Sequence, residues 1–149
     1  MLWTPKIRLV TVLCSAVFVL GTAVQNYVVI DLDLIERSMR LKGAPTGDAS
    51  GYLGALRLVG NVFIVGNALG LLVWFRWKWL FWPVLAVNVC QALGIFLVPF
   101  EVHRAAIEAY GWPGVLPSLV TDGGAVILSI ILIVAYARSF RRAGDPVRL

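Results

Sequence analysis

Hydrophobic residues run along this chain in four long blocks, 9–30, 52–75, 79–100 and 115–137, each interrupted only by scattered polar residues. About 20 residues cross ~30 Å of hydrocarbon at 1.5 Å per residue, so each block is long enough to span a bilayer as an α-helix. None alternates apolar and polar positions as a barrel strand does, and an open strand or loop would leave its backbone unsatisfied in lipid. The pattern predicts an all-α integral membrane protein. Its fold is four transmembrane helices in an up-down-up-down bundle, with the chain 1–149 as one domain.

Shorter patterns lie between the blocks. In DLDLIERSMRLKG the residues Leu32, Ile35 and Met39 share a face, which predicts that the first helix continues as a short interfacial piece. GAPTGDASG then breaks it, and Asp48 is placed to cap the second span. That glycine-rich stretch lacks the lysine of a phosphate-binding loop. EVHRAAIEAYGWPG predicts about two turns of helix lying at the surface, with Tyr110 and Trp112 at the interface. The link WFRWKWLFW is short enough only for a hairpin turn, and its Trp residues and cations read as an interfacial belt.

Composition agrees with this reading: 60% hydrophobic residues and a mean hydropathy of +0.86 exceed what a soluble domain of this size can bury. The net charge of +5 changes the picture through its distribution. Lys6, Arg8, Arg76, Lys78, Arg138, Arg141, Arg142 and Arg148, against Asp145 alone, give one side +7. The other side, with Arg37, Arg40, Lys42, Arg57 and Arg104 against seven acids, carries −2. The positive-inside rule then puts both termini and the tail 138–149 in the cytoplasm, with loops 31–51 and 101–114 outside a plasma membrane. The partner implied is the lipid bilayer, not nucleic acid. The first apolar block outlasts a secretory signal, and Leu13 before Cys14 is wrong for a lipoprotein anchor, so the block is read as a retained span. Cys14 and Cys90 fall at different depths and read as small buried residues, not a disulfide.

Placed at ~100° per residue, the polar residues of each block fall on one stripe. Thr11, Ser15, Thr22 and Asn26 line up on the first, with Gln25 beside them. Arg57, Asn61 and Asn67 share a side of the second, Asn88 and Gln91 stand a turn apart on the third, and Ser118, Asp122, Ser129 and Tyr136 follow the fourth. Counting along each helix puts Asn26, Arg57 and Asp122 roughly 6 to 10 Å to the outer side of the midplane, with Asn61 and Gln91 just beneath. The candidate binding seam is therefore Asn26, Arg57, Asn61, Asn88, Gln91 and Asp122. At that depth Arg57 and Asp122 are placed where they could pair, since each is costly in the membrane alone; the alternative is a second span that starts at Leu58, 18 residues long, with Arg57 snorkelling to the outer headgroups. His103, beside Glu101, reads as a solvated loop histidine and not a metal ligand.

No catalytic motif is present, so neither an enzyme nor a cofactor is implied. Two roles follow. The first is an accessory or scaffold subunit of a membrane complex, docking a membrane-protein partner or a second copy through the small-residue step Gly66/Gly70 or the outer loops. The alternative is small-molecule or ion binding and transport through the polar seam, with Arg57 holding an anionic group. Against transport, no broken helix or inverted repeat is evident in the sequence.

Overall fold

The computed structural model describes residues 3–144, with side chains as far as Ser139 except that of Leu97. Asp145 and Arg148 of the basic tail lie outside the described residues, and Arg141 and Arg142 outside the described side chains. Every regular element among the described residues is helical: α1 Pro5–Val24, α2 Leu32–Lys42, α3 Ala49–Leu71, α4 Phe81–Ala92, α5 Gly94–Leu97, α6 Phe100–Tyr110 and α7 Leu116–Gly144. Four stretches are long and apolar enough to cross a membrane: Pro5–Val29, Thr46–Phe75, Lys78–Phe96 and Leu116–Ser139.

The first stretch starts earlier than expected because Thr4 accepts a hydrogen bond from the Ile7 N–H at 3.4 Å and Pro5 sets the helical φ. It ends in a π-helical turn, Gln25–Val29, where the Ile30 N–H reaches back to the Gln25 carbonyl at 2.9 Å. The third stretch, expected to run unbroken over 79–100, is interrupted between α4 and α5, and Pro99 then separates α5 from α6. A break that the sequence did not show is therefore present. A proline lacks the N–H that would continue the ladder.

The four long elements pack as a ring, α1 against α3 and α7, and α4 against α7 and α3. Its core gathers Phe18, Val73, Leu80, Phe81, Val84, Leu128 and Leu132, all at 2% exposure or less. Small residues set the closest approaches. A Cβ on Gly66 would sit 2.8 Å from Val87, and one on Gly70 would overlap the Ser15 hydroxyl. Both glycines are buried, so the step expected to meet a partner is already filled by the first and third spans of the same chain.

The two ends of the ring differ. At the basic end the Trp3 indole donates to the Trp77 carbonyl at 2.9 Å and packs on Phe81. Arg8 lies 5.0 Å from the Trp74 ring centroid, while Trp74, Trp77, Trp79 and Trp82 stay half-exposed, as an interfacial belt requires. At the opposite end α2 and α6 form a cap. Leu34 and Ile35 of α2, Val102, Ala105 and Ala106 of α6, and Val29, Ile30, Ala49 and Leu53 make a second core there.

The expected outer loops are thus largely folded helix. Asp31 Oδ1 accepts from the Leu34 N–H at 2.8 Å to start α2, and Gly43, at φ 72°, ends it in the left-handed region. The buried face is Leu34, Ile35 and Ser38, and Leu32 points outward at 41% exposure. α6 is a full 11 residues packed on α2, longer and more buried than a surface turn. Asp48 occupies the N-cap position of α3 without a side-chain capping bond, and a 3₁₀ turn, Thr46–Asp48, leads in instead.

Candidate binding cavity

Just beneath the cap the four long elements separate around a cavity of about 270 Å³. Ile30, Leu56, Val59, Phe63 and Val98 supply apolar wall, while Thr22, Gln25, Asn26, Gln91, Ser118, Thr121 and Asp122 supply polar groups. Both irregular pieces of backbone meet here. The π-turn brings Gln25 and Asn26 to the cavity, and the α4–α5 break brings Gly94 to within van der Waals reach of Asp122, its Cβ position 3.4 Å from Oδ2. Irregular backbone within a helix bundle is commonly found where it lines a cavity.

Asn26 and Gln91 anchor the lining. The Asn26 amide donates to the Arg57 carbonyl and to Asn61 Oδ1, both at 3.2 Å. Only a glycine at position 60 leaves room for it, since a Cβ there would lie 2.5 Å from Asn26 Cγ. Gln91 accepts from Asn67 Nδ2 at 2.7 Å through Oε1 and donates to Thr22 Oγ1 at 3.3 Å through Nε2. This buried chain crosses from the second span through the third to the first. Neither Asn67 nor Thr22 belonged to the expected seam, although both lay on the polar stripes and a count of stripe residues per turn would have found them.

Of the six expected seam residues, Asn26, Gln91 and Asp122 line the cavity. Asn61 touches it indirectly, accepting from Asn26 and from the Tyr27 hydroxyl. Asn88 is buried but turns its amide back to the Val84 carbonyl of its own helix at 2.8 Å. Arg57 does not meet Asp122. Its guanidinium lies 5.9 Å from the Tyr27 ring centroid, and the ion pairs among the described residues are Arg40–Glu36 and Arg104–Glu108 alone. The half-buried arginine thus meets the aromatic face of Tyr27, a residue of the π-turn, in place of the carboxylate.

Asp122 is the one carboxylate in the cavity lining, and no cation among the described residues is at ion-pair distance from it. Thr121 Oγ1 donates to its Oδ1 at 3.2 Å, Gln91 lies within hydrogen-bonding reach, and His103 of α6 is in electrostatic range. His103 is half-buried in the cap, not solvated in a loop. Gln25 Oε1 is buried with no hydrogen-bond partner. The lining thus offers amide and hydroxyl groups and one carboxyl group, and Arg57 is not among its residues. Cys14 and Cys90 are both free thiols, and no cluster of metal-binding side chains occurs among the described residues. No family model, curated protein or solved structure matches this chain.

Proposed function

We propose that this is a small membrane-embedded protein that binds a small cation or amine-bearing solute in the cavity at Asp122. The observation that carries the reading is a carboxylate facing a cavity with no cation paired to it, beside a buried Gln25 carbonyl oxygen that no donor satisfies. An ionised group inside a bilayer is expensive and persists where a ligand, ion or proton pathway uses it. The bundle is read as up-down-up-down in a plasma membrane, both termini cytoplasmic, because Lys and Arg gather at the Trp-rich end. The cavity then lies in the outer half, below the α2–α6 cap. Its 270 Å³ is at the low end for ligand pockets, which favours an inorganic cation or a few-atom amine over a drug-sized molecule.

The interrupted third span also supports ligand handling, since discontinuous helices mark many transport sites. The scaffold reading gave its contact surface to Gly66/Gly70 or to the outer loops; bundle packing already uses both glycines, which leaves that reading the loops. Melting of the detergent-solubilised protein across a panel of Na⁺, K⁺, guanidinium, methylammonium and choline tests the proposal. At a ligand concentration of 100 times Kd, binding stabilises by about 2.7 kcal/mol, a shift of several degrees. Asp122→Asn is expected to abolish the shift while its ligand-free form melts at or above wild type. No shift with any cation, or an equal shift in Asp122→Asn, would sink the idea.

A further inference from the structure

A second concavity lies at the opposite end, between the first turns of α1 and the last turns of α7, with a volume of about 850 Å³. Its wall is apolar, Ile7 facing Ile130, Ile131, Val134 and Ala135, and its mouth carries Lys6 and Arg138 with Thr4 and Ser139. From Ile130 to Arg138 the α7 side of the groove runs about 12 Å along the helix axis, changing from hydrocarbon to cation. Lys6 and Arg138 are exposed, and neither takes part in an ion pair among the described residues. Arg8, the nearest other cation on α1, is turned away onto Trp74. No acidic residue precedes Asp31, and none falls between Asp122 and Asp145, so no carboxylate on either wall competes for the two cations.

We infer that this groove is a site for one anionic phospholipid, its phosphate held between Lys6 and Arg138 and one acyl chain lying along Ile130 and Val134. The charge and the apolar length are each what such a lipid complements: basic grooves between spans on the cytoplasmic side bind anionic headgroups. The Lys6 side of the mouth is also the N-terminal end of α1, whose dipole adds positive potential there. The inference rests on reading the four apolar helices as membrane spans with the basic end cytoplasmic, but not on the cavity at Asp122.

The test is native mass spectrometry of the full chain, extracted in mild detergent and titrated with phosphatidylglycerol or with phosphatidylcholine of the same acyl chains. One phosphatidylglycerol is expected to remain bound at concentrations where phosphatidylcholine does not. Lys6→Gln combined with Arg138→Gln is expected to weaken phosphatidylglycerol by roughly tenfold or more, at about 1 kcal/mol per cation. Lys78→Gln, which removes an exposed cation at the same end outside the groove, keeps the preference. Ala135→Phe, which fills the apolar wall without touching charge, loses it. Equal retention of the two lipids, equal losses in Lys78→Gln and the double variant, or a dimer that excludes lipid would each overturn the site. A chain that stays soluble without detergent would overturn the membrane reading itself, whereas a detergent-dependent chain without lipid preference overturns this inference alone.

Discussion

Gln91 uses both ends of its amide in the buried middle of the bundle, accepting from Asn67 and donating to Thr22. Gln91→Leu leaves two buried polar groups without partners, a loss of about 1–3 kcal/mol in a water-soluble protein. Interhelical hydrogen bonds in membrane bundles average nearer 0.6 kcal/mol, because helices apart in lipid also find partners, so on the proposed membrane reading the expected cost is about 1 kcal/mol by thermal or denaturant unfolding in detergent. Adding Asn67→Leu should recover part of it, because the orphaned amide is then gone; a double variant worse than the sum of the singles would contradict the bond. Gly60→Ala acts by space alone. The new methyl meets Asn26 at 2.5 Å, and Asn26 is short and tied to two acceptors, so the helices must part or the amide must leave the cavity lining. The expected readout is a lower melting temperature together with loss of any cation shift.

At the scale of elements one carboxylate serves both helices of the cap. Asp31 caps α2 through Oδ1 and accepts from the Tyr110 hydroxyl at 3.3 Å through Oδ2, tying the end of α6 to the start of α2. Asp31→Ala is expected to cost about 1 kcal/mol from the cap alone, and Tyr110→Phe much less, since that contact is exposed. Burial, then the Asp31 carboxylate, holds the Tyr110 phenol above its ordinary value of 10.0. A group raised in the folded state contributes fully below its unfolded pKa and loses that contribution as pH rises through the folded one. The Tyr110–Asp31 hydrogen bond should therefore be intact at neutral pH and lost only above about pH 10, while the buried α2–α6 core keeps the two helices together; absorbance titration of Tyr110, with Tyr110→Phe as the blank, checks it.

The spans were legible from the apolar blocks because length and hydropathy decide them, and the polar stripes pointed to Asn26, Gln91 and Asp122 for the same periodic reason. The π-turn was not legible. It adds one residue to a helical turn, and QNYVV carries no composition that marks it. The α4–α5 break left only Gly94 and Pro99 as signals inside a run that hydropathy reads as continuous. Depth along α3 and α7 placed Arg57 near Asp122, but depth alone does not fix the direction of a side chain, and Arg57 turns to Tyr27.

For the whole molecule, the departure from that pairing makes a measurable difference. Arg57 at the rim and Asp122 in the cavity touch different partners, so Arg57→Ala and Asp122→Ala should combine additively, within about 0.3–0.5 kcal/mol, where a buried pair would show strong coupling. The orientation of the bundle rests on charge alone and takes its own test. Cys14 and Cys90 are first replaced by Ala, and single cysteines are then placed at Asp48 in the capped half and at Lys78 in the basic hairpin, both exposed positions. With Lys6, Arg8, Arg76, Lys78 and Arg138 at the Trp-rich end, a membrane-impermeant thiol reagent applied to intact cells should label the Asp48 site and spare the Lys78 site until the membrane is opened. Labelling in the reverse order would put the Asp122 cavity in the cytoplasmic half and the Lys6–Arg138 groove in the outer leaflet. A solute would then reach the cavity from inside the cell, and the groove would face a leaflet without the negative surface potential that its cations match.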